Sequence, residues 1–109
     1  MAQFRALEVA RAIADEVNVL LGRRKPRLIH RVQLQKSSQS IPANIREGMG
    51  RKPGAERNQA YRYARGSAEE TDEHLRANVV DGRVAPEAFR RLHNRCALVV
   101  KMLTEIIGP

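Results

Sequence analysis

The stretch SIPANIREGMGR, residues 40–51, decides how the rest of the chain is read. Ile41, Ile45 and Gly48 recur at helical spacing. Pro42 falls inside that pattern. It has no N–H, and its ring meets the carbonyl of Ser38, so a helix running through it must bend. Periodicity resumes directly beyond the proline, which favours one kinked helix over two helices broken at Ile41–Pro42.

Working outward, this helix is predicted to start near Pro26, a favoured first-turn residue, and to run through Leu28, Val32, Leu34, Ser38, Ile41 and Ile45 to about Gly48. Small residues (Ser37, Ser38, Ala43, Gly48) let a neighbouring helix approach closely. A helix over Gln3–Leu21 precedes it, with Phe4, Leu7, Ala10, Ala14, Val17 and Leu21 on one stripe and Val9, Ile13 and Leu20 on a second. One stripe is enough for a bundle core, so the second suggests a further contact, such as one between subunits. Gly22 and the cations that follow stop the first helix.

Gly50-Arg-Lys-Pro-Gly54 reads as a loop, followed by a long helix over Ala55–Val80. Its inner stripe is small and polar: Ala60, Tyr63 or Ala64, Ser67, Glu70 or Thr71, His74 or Leu75, and Asn78. Gly66-Ser67 weakens its helix propensity. A turn over Asp81–Pro86 leads to a last helix carrying Phe89, Leu92, Cys96, Val99, Val100, Leu103 and Ile106 or Ile107. Period-two runs of β-branched and aromatic residues are missing, so the fold class is all-α, in one domain over residues 1–109.

Hydrophobic residues make up 42% of the chain and charged residues 29%, as in a globular domain rather than a disordered one. The single Cys96 precludes an internal disulfide and fits a reducing, cytoplasmic location. No apolar run approaches a membrane span, and no signal-peptide pattern is present. The formal net charge is +8, and all of the excess lies in the middle. Residues 23–65 hold twelve basic and two acidic groups, whereas each flank is slightly acidic. Arginine dominates, and its planar fork matches phosphate geometry. A polyanion, RNA or DNA above all, is the partner this points to, bound through its backbone with little sequence specificity.

The cations form two groups. Arg23, Arg24, Lys25, Arg27 and Arg31 surround the first turn; Arg46, Arg51, Lys52, Arg57, Arg62 and Arg65 surround the second. The second group is the predicted nucleic-acid-binding set. Asn44 and Glu47 share a face with Gly48, and Ser67 and Glu70 lie on the next helix, so these four form a candidate structural polar network, with a cation such as Arg65.

Catalytic and metal readings are weaker. No nucleophile, base or phosphate loop accompanies Glu47 or Glu70. His93 with Cys96, and Glu70 with His74, are two half-sites at ligand spacing with no third partner, and packing explains them better. No cofactor or metal is expected, and no enzyme.

Ser40, Ile41, Asn44, Ile45, Glu47, Gly48, Gly50 and Arg51, then Ala64, Gly66, Ser67, Glu70 and Leu75, then Lys101, Met102, Leu103, Ile106 and Ile107, resemble the pattern of a family of four-helix bundles that includes proteins encoded within intervening sequences of bacterial 23S rRNA genes. The resemblance implies an up-down antiparallel four-helix bundle assembled as a homopentamer. Related basic pentamers are accessory proteins to the reverse transcriptases of diversity-generating retroelements, so a reverse transcriptase is an implied partner. Ala68 and Thr71 stand where larger aliphatics are expected, and Tyr61 and Tyr63 where Leu or Ile is usual.

Overall fold

Four segments patterned at helical spacing, three apolar and one small and polar, form four helices, α1 (Ala2–Leu21), α2 (Arg31–Met49), α3 (Ala55–Val80) and α4 (Pro86–Ile107), in a computed structural model that describes all 109 residues. Each helix packs against two others: α1 and α3 each touch α2 and α4, and neither diagonal pair meets. With short turns between them, the helices alternate in direction around a square, as an up-down four-helix bundle. The bundle is a rod of 44 × 20 × 18 Å.

Both apolar stripes of α1 turn inward. Leu7, Ala10, Val17 and Leu21 come from the first, and Ile13 and Leu20 from the second, together with Ala6. Ile13 and Leu20 of the second stripe are therefore buried in the chain's own core, whereas Val9 of the same stripe is only partly buried, and Phe4, from the first stripe, is half exposed. Arg91 and Arg95 of α4 converge on Glu16 of α1 and tie those two helices together.

α2 passes through Pro42 without a break, and Pro42 itself is buried. Its start differs from expectation. Pro26 does not open the helix; Arg31 does. The reason is tertiary. Leu28 inserts into the core, and both polar groups of the Ile29 backbone are taken by Asn78 of α3: Ile29 N–H donates to Asn78 Oδ1 (2.8 Å), and Asn78 Nδ2 donates to Ile29 O (3.1 Å). A residue bonded this way on both sides has no groups left for a helical ladder. The Lys25–Pro26 peptide is cis, and His30 caps α2 with a left-handed backbone (φ 56°).

The α2–α3 seam is the most extensive, and it is built from small residues. Ser37, Ser38, Ile41, Ile45 and Gly48 of α2 are buried against Ala60, Tyr61, Ala64, Ala68 and Thr71 of α3. Ala68 and Thr71 are small because the helices are close. Gly48 marks the tightest approach, since a Cβ there would run into the ring of Tyr61, well inside any contact distance. Tyr61 is fully buried, whereas Tyr63 points to solvent. Gly66, by contrast, is exposed with no neighbour near its missing side chain, so it plays no part in close packing.

Candidate nucleic-acid interface

The predicted polar network forms in part: Asn44 and Ser67 belong to it, and Glu47 and Glu70 do not. Asn44 Nδ2 donates to Ser40 Oγ (2.8 Å) and to the Ser40 carbonyl (2.9 Å), and Ser67 Oγ donates to Ser40 Oγ (2.9 Å). Ser40 is thus the link between Asn44 and Ser67. A second crossing lies further along the seam, where Thr71 Oγ1 is 2.8 Å from Ser37 Oγ. These hydroxyls satisfy each other across the α2–α3 seam, which helps fix helix register.

Glu47 and Glu70 stand outside this network. Each meets a partner four residues on: Glu47 binds Arg51 in the turn just past α2, and Glu70 faces His74 Nε2 of its own helix at 3.6 Å, beyond hydrogen-bond reach. Arg65 does not join it either; its guanidinium donates to Thr104 of α4 (3.1 Å).

The six cations around the second turn divide by what they already hold. Arg51 Nε and Nη2 both donate to Glu47 Oε1 (2.9 and 2.7 Å), and Nη1 donates to Glu56 (3.2 Å). The hydrogen bond and charge of Glu47, helped by Glu56, push the Arg51 pKa further up. Its charge is therefore largely met by two carboxylates. Arg57 is structural: Nε donates to Gly48 O (2.9 Å), and Nη2 reaches the carbonyls of Met49 and Arg51. These include acceptors that the end of α2 would otherwise leave open, so Arg57 caps that helix. Arg46, Lys52 and Arg62 are exposed and make no side-chain hydrogen bond or ion pair. They are the members of the predicted set free to meet an incoming phosphate.

The first-turn cations are less occupied. Arg23, Arg24, Lys25 and Arg27 are exposed and carry no side-chain partner. Arg31 caps α1 through Nη2 to Leu21 O (2.8 Å) and has no carboxylate near it.

The possible metal half-sites are drawn into other contacts. His93 Nδ1 lies 2.7 Å from Asp72 Oδ1, while Phe89 stacks on His93 and receives Arg76 on its face. Cys96 is buried, and burial, with a smaller push from the Asp72 charge, raises its thiol pKa to about 12. His74 stacks on His30 at 5.3 Å. No three His, Cys, Asp or Glu side chains come together as a metal would require. No helix is long and apolar enough to cross a membrane.

Comparison with known proteins places this geometry. The bundle superposes on the crystal structure of a protein of unknown function from the S23 ribosomal protein family of Bacteroides thetaiotaomicron, with a TM-score of 0.88 over 98% of each chain at 24% identity. At that identity the likeness concerns the fold. None of the curated proteins compared matches the sequence. The family model described as 23S rRNA-intervening sequence protein matches residues 3–105. With nearly its whole length accounted for by that match, from the first turn of α1 to the last turn of α4, the chain belongs to the 23S rRNA-intervening sequence protein family.

Proposed function

We propose that this protein is a non-enzymatic, homo-oligomeric bundle that binds the phosphate backbone of RNA or DNA and acts in the cytoplasm as a scaffold or accessory factor. One observation carries the reading: the basic excess of residues 23–65 is displayed on the surface, with Arg46, Lys52 and Arg62 free of any carboxylate. Exposed arginine and lysine without internal partners can exchange their counterions for phosphates. No aromatic platform or base-reading element accompanies them, so contact is to the backbone and is weakly specific. The family resemblance supports a pentamer and a reverse transcriptase as a protein partner.

The test is binding of labelled RNA and DNA across a salt series, with solution mass measured in parallel. Affinity should fall steeply as salt rises, and a triple Arg46→Glu, Lys52→Glu, Arg62→Glu variant should bind more weakly. An absence of binding at low salt, or binding indifferent to salt, overturns the reading.

A second reading has its own observation. Val9, Leu98, Met102 and Ile106 line an open groove between α1 and α4, rimmed by Arg5, Glu8, Lys101 and Glu105. Phosphate binding has no use for such a groove, whereas a protein contact does. On this reading the chain is a protein-interaction module without direct nucleic-acid binding, and its complexes survive nuclease treatment.

A further inference from the structure

The two ends of the rod are not electrically equivalent. At the α2–α3 turn, residues 47–57 contain three cations and two carboxylates, and two of those cations are already engaged, Arg51 by Glu47 and Glu56 and Arg57 by main-chain carbonyls. At the α1–α2 turn, residues 22–30 contain Arg23, Arg24, Lys25 and Arg27 and no carboxylate. The nearest turn from elsewhere, between α3 and α4, brings Asp81, which is already paired with Arg83. The rod is 44 Å long, and at physiological salt a charge acts over roughly 8 Å, so neither end offsets the other.

The α1–α2 turn also has a fixed shape despite its lack of regular structure. Leu28 anchors it in the core, the Asn78 side chain holds both backbone groups of Ile29, Arg83 Nη1 donates to Arg27 O (2.6 Å), and Arg31 ties the start of α2 to the end of α1. Every one of these bonds uses backbone or a neighbouring residue. The four cationic side chains are left out of all of them. A backbone already ordered before binding loses little entropy on contact with a ligand, which favours affinity.

We infer that the α1–α2 turn is the principal phosphate-contacting element of this protein: Arg23, Arg24, Lys25 and Arg27, presented on a backbone clamped by Asn78, hold the phosphodiester backbone of a nucleic acid. This rests on the nucleic-acid reading of the function and relocates its main contact from the second turn to the first. Arg31 adds its uncompensated charge beneath the turn. The second-turn cations Arg46, Lys52 and Arg62 contribute a weaker, separate field.

Two measurements test it on the intact protein, using poly(U) RNA and a mixed-sequence duplex DNA as probes. The first compares a quadruple Arg23→Gln, Arg24→Gln, Lys25→Gln, Arg27→Gln variant with a triple Arg46→Gln, Lys52→Gln, Arg62→Gln variant. The quadruple changes are at exposed side chains without partners, so the melting temperature should stay at the wild-type value. Its affinity should fall at least about tenfold at low salt, and its salt slope on RNA should flatten by roughly 3, since each lost contact to a single strand removes about 0.7. The triple variant should lose less on both counts. The second is acetylation footprinting of the four lysines, which happen to mark different parts of the rod: Lys25 on the first turn, Lys36 on α2, Lys52 on the second turn and Lys101 on α4. Bound nucleic acid should protect Lys25 most.

If wild type binds but the quadruple variant keeps its affinity and slope, or Lys52 is protected in place of Lys25, this inference is overturned and the nucleic-acid reading stands. If wild type binds neither probe at low salt, both fall together.

Discussion

The ring of Tyr61 occupies the space that a Cβ on residue 48 would need: such an atom would lie 2.8 Å from Cδ1 and 2.9 Å from Cζ, and closer still to Cε1. Gly48 and Tyr61 are therefore one packing unit, an absent side chain on α2 filled by a large one on α3. A Gly48→Ala change must displace an aromatic ring that is fully buried. Overpacking of this kind costs about 1–3 kcal/mol. Urea unfolding of Gly48→Ala should show that loss. Combining it with Tyr61→Leu should recover part of it, because the two sites share one contact.

The Tyr61 hydroxyl is buried and has no hydrogen-bond partner. An unpaired buried hydroxyl disfavours the folded state, so removing it should cost nothing. Tyr61→Phe is expected to leave the unfolding midpoint unchanged or to raise stability by up to about 1 kcal/mol. A marked fall in midpoint would show that the hydroxyl is bonded in solution.

Asn78 satisfies two backbone groups of a turn forty-nine residues away in sequence. Asn78→Leu keeps the branching of the side chain but is larger, and it leaves Ile29 N–H and C=O facing an apolar neighbour. Losing partners for buried polar groups costs about 1–3 kcal/mol each. Calorimetry should record a lower melting temperature for Asn78→Leu, while exposed Asn94→Leu on α4 should change it little.

Alkaline pH should destabilise the bundle. The Cys96 thiol ordinarily ionises near 9.0 and in the fold is raised to about 12; burial also raises the Tyr61 phenol, with Arg57 partly opposing it. For an acid whose folded pKa is raised, the unfolded chain releases its proton first. The stability tied to that proton is complete below pH 9 and declines as pH rises toward 12. Unfolding free energy should fall across that window, and more gently in Cys96→Ala after correction for its own baseline. By the same burial, Cys96 should resist iodoacetamide at a pH of about 8 in the native protein and react once urea unfolds it.

Much of the fold was legible because helical periodicity is a local property. Ala55 and Val80 bound α3 where the Pro53-Gly54 loop and the Asp81-Gly82 turn place them, and Pro86 opens α4 as a first-turn proline does. Pro26 carried the same local signal and misled, because a side chain from α3 captures Ile29 and no local pattern announces it. The polar stripe of α3 left Tyr63 or Ala64, Glu70 or Thr71, and His74 or Leu75 open; close packing against α2 selects Ala64, Thr71 and Leu75, and buries Tyr61. Within the candidate site, the neutralisation of Arg51 was readable from Glu47 four residues earlier. The diversion of Arg57 to the end of α2 was not, since its acceptors are main-chain carbonyls that any residue would supply. Ser40 was missed as the link between Asn44 and Ser67 because its hydroxyl crosses to a different helix.

The clamp between Asn78 and Ile29 has a consequence for how the protein opens. Connecting turns in most bundles fray on their own, exchanging amide hydrogens long before the helices separate. Here the Ile29 amide is held by a side chain of α3, so breaking that bond is tied to the separation of α3 from the turn. Its hydrogen exchange should follow the opening of the bundle as a whole, so that one irregular residue reports global unfolding as faithfully as an amide in the middle of a helix.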